Sequence, residues 1–280
     1  MSIRTQLEKL AFLGGGNMGR ALIGGLLQQG TRPEGIAVGE KYEPARAALV
    51  KDFGISATPD NTVAVANATL VVLAVKPQDA GSVLAPLAPV LQKTRPLLIS
   101  VCAGLKVAAL EGWAGGGVSV VRTMPNRPAL VGAGATALFA PPSVSATDRA
   151  RAEAVMRATG EVVWVDDEAH IDAVTALSGS GPAYFFYLAE AMAQAGVALG
   201  LDPEVAKRLA VATLHGSGML ARMSDGDLAR LRAEVTSKGG TTEAALKIMT
   251  EADLRGIVGR AMGAAARRGG ELAAQFGDKK

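Results

Sequence analysis

Gly14-Gly15-Gly16-Asn17-Met18-Gly19 follows directly on the apolar run Leu10-Ala11-Phe12-Leu13 and reads as a glycine turn opening a helix. A second glycine-rich stretch, Ser237-Lys238-Gly239-Gly240-Thr241-Thr242, directly precedes the helix-like Glu243-Ala244-Ala245-Leu246-Lys247. The first turn of a helix has backbone N–H groups without partners and carries the positive end of the helix dipole, so each start suits an anion. In the first, Gly14 permits the tight turn, Gly16 lets backbone approach a dinucleotide pyrophosphate, and Gly19 allows close helix–strand packing. The second start could hold an acidic substrate. Two anionic ligands on one chain point to an enzyme.

Other residues fit that chemistry with less specificity. About 20 residues beyond such a glycine turn lies the position that reads the adenosine ribose. Here it offers Glu40, Lys41 and Arg46. Glu40 suits a 2′-hydroxyl, Lys41 or Arg46 a 2′-phosphate, and all three also read as solvated surface charges, so cofactor choice stays open on the residues alone. Ala74-Val75-Lys76-Pro77 and Val101-Cys102-Ala103-Gly104 end two further strand-like runs, where ligands bind in open α/β sheets. The candidate cofactor set is therefore Gly14, Gly16, Asn17, Met18, Gly19, Glu40, Lys41, Asn61, Ala74, Val75, Lys76, Pro77, Cys102, Ala103 and Gly104. Lys76 reads equally as a strand-end charge and Cys102 as a small buried filler. His170 and His215 stand without Cys, Asp or Glu at metal-ligand spacing, so no metal is expected. Gly179-Ser180-Gly181-Pro182 reads as a helix start with Pro at its first position; no strand precedes it, which argues against a hydrolase nucleophile elbow.

The elements that must position these groups fall into two classes. Leu10–Leu13, Ile36–Val38, Leu70–Val75, Leu97–Val101 and Val118–Val121 are short apolar runs, as strands buried on both faces should be, with helical segments at Met18–Gln29 and Pro44–Lys51 among them. Ala135–Ala140 and Val162–Val165 add two more around a helix at Ala146–Thr159. Alternation at this spacing predicts a parallel doubly wound sheet. Beyond about Asp166 no strand signal remains. Pro182–Leu199 is apolar nearly all round except for Glu190 and Gln194, Asp202-Pro203-Glu204 starts another helix, and Asp253 begins a last one running to about Ala274 before a polar tail. The fold class is thus α/β followed by an all-helical part, divided as residues 1–165 and 166–280. Helices so apolar need cover, and a second subunit is the natural source.

Composition narrows the partners. Hydrophobic residues make up 49% and charged residues 20% of the 280, as in an ordinary globular chain. The net charge of +3, from 29 Lys and Arg against 26 Asp and Glu, is too small and dispersed to imply nucleic acid or an anionic membrane. One cysteine excludes an internal disulfide and fits a reducing cytoplasm. Glu8 and Lys9 precede only four apolar residues, and the longest apolar runs are far short of a membrane span, so a soluble cytoplasmic protein without a leader is expected.

Over almost its whole length the chain resembles pyrroline-5-carboxylate reductases. The resemblance is most specific at Val235-Thr236-Ser237-Lys238-Gly239-Gly240-Thr241-Thr242-Glu243-Ala244-Ala245-Leu246. It is reinforced at Asp172-Ala173-Val174-Thr175-Ala176-Leu177-Ser178-Gly179-Ser180-Gly181-Pro182-Ala183-Tyr184 and at Arg122-Thr123-Met124-Pro125-Asn126. Lys238 departs from the proline common in that family, which makes the loop less rigid or adds positive charge near the substrate. The resemblance implies a Rossmann-type first domain and a helical substrate-binding and dimerisation domain. It also implies NAD(P)H-dependent reduction of 1-pyrroline-5-carboxylate to L-proline, with NADPH the more frequent cofactor and NADH also used. It places the substrate carboxylate on Gly240, Thr241 and Thr242, beside Ser237, and Glu168 near the ring nitrogen. A homodimer is implied, with rings of dimers as a further assembly.

The chemistry agrees with that resemblance. An imine nitrogen is basic enough to be largely protonated, so hydride attack needs no strong protein acid. A hydroxyl such as Thr242, or a water, suffices to orient the N–H, and Thr242 is the catalytic candidate. A β-hydroxyacid dehydrogenase would need a lysine on the long helix after the Gly-Ser-Gly turn, and Pro182–Gly200 contains neither Lys nor His. A non-catalytic nucleotide sensor would account for the first glycine turn but not the second.

Overall fold

The structure is a computed structural model that describes residues 9–277. The leader reading and most of the polar tail rest on positions outside that range. Within it the first part alternates strands and helices: β1 (Leu10–Leu13), α1 (Asn17–Gln28), β2 (Ile36–Gly39), α2 (Glu43–Phe53), β3 (Ser56–Thr58), α3 (Asn61–Val65), β4 (Leu70–Leu73), α4 (Ala80–Leu84) and α5 (Ala88–Thr94). It continues through β5 (Leu97–Ser100), α6 (Val107–Trp113), β6 (Val120–Met124), β7 (Gly134–Phe139), α7 (Ala146–Arg157), β8 (Gly160–Trp164) and α8 (His170–Val174). Only helices follow: α9 (Gly181–Ala198), α10 (Pro203–Met223), α11 (Leu228–Glu234), α12 (Thr241–Glu251) and α13 (Leu254–Gly277).

The strands form one sheet in the order β3-β2-β1-β4-β5-β6-β7-β8. Chain order runs outward from β1 to β3, then restarts on the other side of β1 at β4. The carboxyl ends of β1 and β4 therefore flank a topological switch point, the crevice where such sheets bind ligands. The central strands are apolar throughout because both faces are covered. Leu10 and Phe12 of β1 belong to one core with Leu22 and Ile23 of α1, whereas Ala11 and Leu13 belong to the other with Val71 and Leu73.

Two details differ from the sequence expectation. The sheet is parallel except that β7 runs antiparallel to β6. The link between them, residues 125–133, is too short for the crossover of about a dozen residues or more that a parallel pair requires. The edge strand β3 is not among the strand runs picked out from the sequence; it is short and partly exposed, so it lacks the apolar signature of the buried strands.

Contacts divide the chain into two units, one running to Gly179 and including the residues from Ala265, the other Ser180–Ala264. The sequence division at 165/166 falls earlier. Residues 166–179 join the sheet because buried Arg122 of β6 pairs with Glu168 at 3.1 Å and Asp172 at 3.2 Å. Ile171 and Ala176 are buried there as well, and the Asn126 amide donates to the Ser178 carbonyl at 3.1 Å.

In the second unit α9 packs on α10, and α10 is started as read: Asp202 accepts from the N–H groups of Glu204 at 3.0 Å and Val205 at 3.2 Å, with Pro203 next. Yet only Gly181, Ala206 and Ala210 are buried among residues 180–264. Phe186 is 60% and Tyr187 75% exposed on the single chain, and Leu209, Met219 and Ile248 are exposed as well. Apolar surface on this scale marks an interface.

Candidate active site

The first glycine turn is built by the end of β1. Gly14 takes φ +100°, and a Cβ there would stand 2.6 Å from the Ala74 carbonyl oxygen, so no other residue fits. A Cβ at Gly19 would stand 2.6 Å from the Gly14 carbonyl oxygen, which is the close helix–strand packing expected. Gly16 is different: nothing lies within 4 Å of the position its Cβ would take. It is the N-cap of α1 and makes no side-chain cap. The first-turn N–H groups of α1 therefore open on free space that an anion can approach closely, which fits a dinucleotide pyrophosphate.

A cleft of about 400 Å³ at this point brings together Gly14, Gly16, Glu40, Lys41, Asn61, Ala74, Val75 and Lys76 from the sequence-derived set, along with Gly39, Asp79, Ser82 and Val83. A neighbouring hollow of about 460 Å³ shares Lys41, Asn61, Ser82 and Val83 and extends to Asp60, Thr62 and Leu87. Asn61 sits against the backbone of Gly39, where a Cβ would meet its Oδ1 at 2.1 Å. Glu40 does not stand free: its two carboxylate oxygens accept the N–H groups of Gly15 and Tyr42, each at 2.9 Å.

The remaining cofactor candidates lie outside these hollows' walls. Met18 packs against the core and Gly19 is buried behind the turn. Asn17 is exposed at the helix start, and Pro77 follows Lys76 into a tight turn. Cys102 is buried, and its thiol donates to the Val75 carbonyl at 3.2 Å. Burial pushes its pKa up to about 12, so it stays a neutral thiol that supports the cleft wall from behind and is no nucleophile. Gly104, at φ +78°, packs close to the backbone of Ala273, with Ala103 before it in the same turn.

The second glycine start lies wholly within the helical unit. Gly239 takes φ +72°, and Gly240 is the N-cap of α12 without a side-chain cap. The Gly240 N–H donates to the Ser237 carbonyl at 3.0 Å, folding the loop on itself. Glu243, in the first turn of α12, reaches back so that its carboxylate accepts the Gly239 N–H at 2.7 Å. Ser237, Gly240, Thr241 and Thr242 thus share one loop and helix start. The adjoining groove of about 480 Å³ runs along the Glu243, Lys247 and Thr250 face of α12 and takes in Gly240 but not Ser237, Thr241 or Thr242. Lys238 is exposed.

Glu168 lies in the sheet unit. One oxygen of its carboxylate accepts both the Val107 N–H at 2.8 Å and the Arg122 guanidinium at 3.1 Å. Within that unit its role is to fasten the 166–179 segment to β6. The sequence reading missed the partner in this contact: Arg122 entered only as part of a motif. The signal available was a charged residue inside an otherwise apolar strand run, which needs buried counter-charges. Asn126 is a second such fastener, since its side chain also accepts the Ala135 N–H at 2.9 Å. No cluster of three or more His, Cys, Asp or Glu that could hold a metal ion occurs among the described residues.

Residues 168–272 match a family model described as pyrroline-5-carboxylate reductase dimerisation, and residues 9–104 match one described as NADP oxidoreductase, coenzyme F420-dependent. The chain is 46% identical to the pyrroline-5-carboxylate reductase of Pseudomonas aeruginosa, over 96% of this chain and 98% of that one. It is similar to the solved pyrroline-5-carboxylate reductase of Coxiella burnetii, with a TM-score of 0.92 at 39% identity, covering 95% of this chain and 99% of that one. The Plasmodium falciparum pyrroline carboxylate reductase, solved with NADP bound, aligns with a TM-score of 0.80 at 30% identity, over 95% and 98% of the two chains.

Proposed function

The chain belongs to the pyrroline-5-carboxylate reductase family, and from that premise we propose the roles of its residues in reducing 1-pyrroline-5-carboxylate to L-proline with NADPH, or NADH in its place. The observation that carries the cofactor assignment is the open, uncapped start of α1 at the switch point of the sheet. Gly14 and Gly16 with the α1 N–H groups would hold the pyrophosphate, and Lys41 and Asn61 would line the adenosine end. When bound, the nicotinamide supplies the hydride that the imine carbon accepts.

The substrate carboxylate is assigned to the N–H groups at Gly240, Thr241 and Thr242, beside Ser237. The Thr242 hydroxyl would orient the protonated ring nitrogen, and Glu168 is kept as a substrate-binding candidate on the family resemblance alone. A protonated imine is already electrophilic, so the residues act by positioning and by holding one proton, and α9 carries no Lys or His to do more. The protein self-associates through its dimerisation domain, and we assign the exposed apolar residues of α9 and α10 to a homodimer interface, with rings of dimers as the larger assembly. No helix among the described residues is long and apolar enough to cross a membrane, and we propose a cytoplasmic location.

Mixing the purified protein with pyrroline-5-carboxylate and NADPH or NADH tests the reaction. Loss of reduced-nicotinamide absorbance with formation of proline is expected. Folded protein that turns over with neither cofactor overturns it.

A further inference from the structure

We infer that the 2′-phosphate of the cofactor is read by Lys41, while Glu40 is committed to holding the glycine turn and Arg46 to positioning the loop that carries both. This rests on the first glycine start being the dinucleotide site.

From residue type alone Glu40, Lys41 and Arg46 are equal candidates for the ribose end; their contacts separate them. An acid that reads a ribose diol, and repels a 2′-phosphate, has to present a free carboxylate to it. Glu40 instead bonds Gly15 with one oxygen and Tyr42 with the other, each at 2.9 Å. Both donors are backbone N–H groups, so its negative charge is already met by two dipoles, and it ties the end of β2 to the turn after β1. Removing it would loosen the pyrophosphate turn before it altered any preference between ribose forms.

Arg46 is occupied in a different way. One guanidinium nitrogen donates to the Glu40 carbonyl at 2.9 Å and to the Lys41 carbonyl at 2.6 Å. It sits half-buried in the first turns of α2 and clamps the two-residue backbone that ends β2. Arg46 is therefore a positioning residue.

Lys41 is left. It is exposed, makes no ion pair among the described residues, and lines both hollows of the cofactor groove. The other acids of the groove do not pair with it: Asp60 accepts the Thr62 N–H at 2.8 Å as the cap of α3, and Asp79, which lines the same hollow as Lys41 and Lys76, makes no ion pair with Lys41 among the described residues. A flexible ammonium with three donors, beside the Asn61 amide, is suited to a phosphate.

The test is calorimetric titration of the full-length protein with 2′,5′-ADP and with 5′-AMP, which isolate the ribose phosphate from the rest of the cofactor, alongside NADPH and NADH. Lys41→Ala should weaken 2′,5′-ADP by about tenfold to a hundredfold, the scale of one charge-assisted hydrogen bond, and shift 5′-AMP by less than about twofold. Glu40→Ala should weaken both ligands together. Arg46→Ala should do the same and lower the melting temperature of the ligand-free protein, and Arg46→Lys should recover part of each. Selective loss of 2′,5′-ADP in Arg46→Ala, or its tightening in Glu40→Ala, would overturn the assignment. So would an equal loss of both ligands in Lys41→Ala and Lys41→Gln that retain the wild-type melting temperature. Wild-type protein binding neither NADPH nor NADH removes the dinucleotide site and this inference with it; wild type that binds them with the wrong mutant pattern removes the inference alone.

Discussion

The two glycine-rich helix starts share a design and differ in what stands behind it. Each has a glycine N-cap with no side-chain cap, Gly16 for α1 and Gly240 for α12. At each, the N–H one residue earlier is held by a glutamate: Gly15 by Glu40, and Gly239 by Glu243. Glu40, however, arrives from the end of a different strand, and the turn it braces is wedged against the Ala74 carbonyl. Glu243 belongs to the helix it caps, in a unit that buries three of its own described residues. The first start is made rigid by long-range packing. The second is a local capping motif whose stiffness within one chain comes from a few hydrogen bonds, so it has little to resist local opening until another surface covers it.

The sharpest way to break this comparison is to fill the first site. Gly16→Val has room in the ligand-free fold, at φ −72° with open space around the Cβ, so folding should survive. Its side chain would stand where the pyrophosphate must approach. We expect cofactor affinity to fall on the order of a thousandfold, as when two charge-assisted hydrogen bonds of about 1.5–3 kcal/mol each are lost. A fluorescence titration of NADPH showing wild-type binding would remove the dinucleotide assignment.

At the second site the corresponding change is Thr242→Ala. It should lower kcat/KM by roughly tenfold to a thousandfold, the range of a lost positioned donor, while cofactor affinity hardly moves. Steady-state kinetics beside a cofactor titration decide it, and normal turnover would make this hydroxyl a structural group.

If the helical unit owes its stiffness to a second copy, weakening association should be felt there first. Phe186→Asp, on the exposed face of α9, should weaken the dimer by about 1–3 kcal/mol, the scale of one apolar anchor. Light scattering across a concentration series is the measurement. An active wild-type monomer at micromolar concentration would contradict the dimer.

Removing the local brace should cost less. Glu243→Ala is expected to destabilise the folded protein by about 1 kcal/mol, a typical capping loss, read by urea denaturation at fixed protein concentration. A loss several times larger would show that the second start is as deeply integrated as the first. The smallest effect concerns Cys102. With its pKa pushed up to about 12 by burial, the thiol stays protonated far above neutral pH, and iodoacetamide at alkaline pH should leave it unlabelled in the native protein. Rapid labelling without unfolding would mean that the wall of the first site opens.

Much of this was legible in the residues. The apolar runs at β1, β4 and β5 are unambiguous because strands buried on both faces need no polar positions. The glycine spacing of the first site is legible for a related reason: a φ of +100° at Gly14 and a 2.6 Å approach at Gly19 are steric demands that one residue type meets. The edge strand β3 and the reversal of β7 were not legible, since pairing partners and strand direction depend on which segments meet in space. Nor was the grouping of residues 166–179 with the sheet, which hangs on Arg122 meeting two carboxylates more than forty residues away.

By itself, then, the sequence determined where the buried strands and the longer helices form, which two helix starts have the free N–H groups and glycines an anion needs, and that the later helices are too apolar to stand alone. These are properties of local sterics and of hydrophobic pattern, and they are written at spacings of a few residues. Only the tertiary structure decided which of three charged residues within one short stretch is free to act. Glu40, Lys41 and Arg46 are alike as solvated ions on paper, and it is the neighbouring backbone of Gly15, Tyr42 and the loop itself that engages two of them and leaves the third facing the cleft. A charge is available for recognition only if no nearer partner satisfies it, and nearness across strands is not a property of the linear chain.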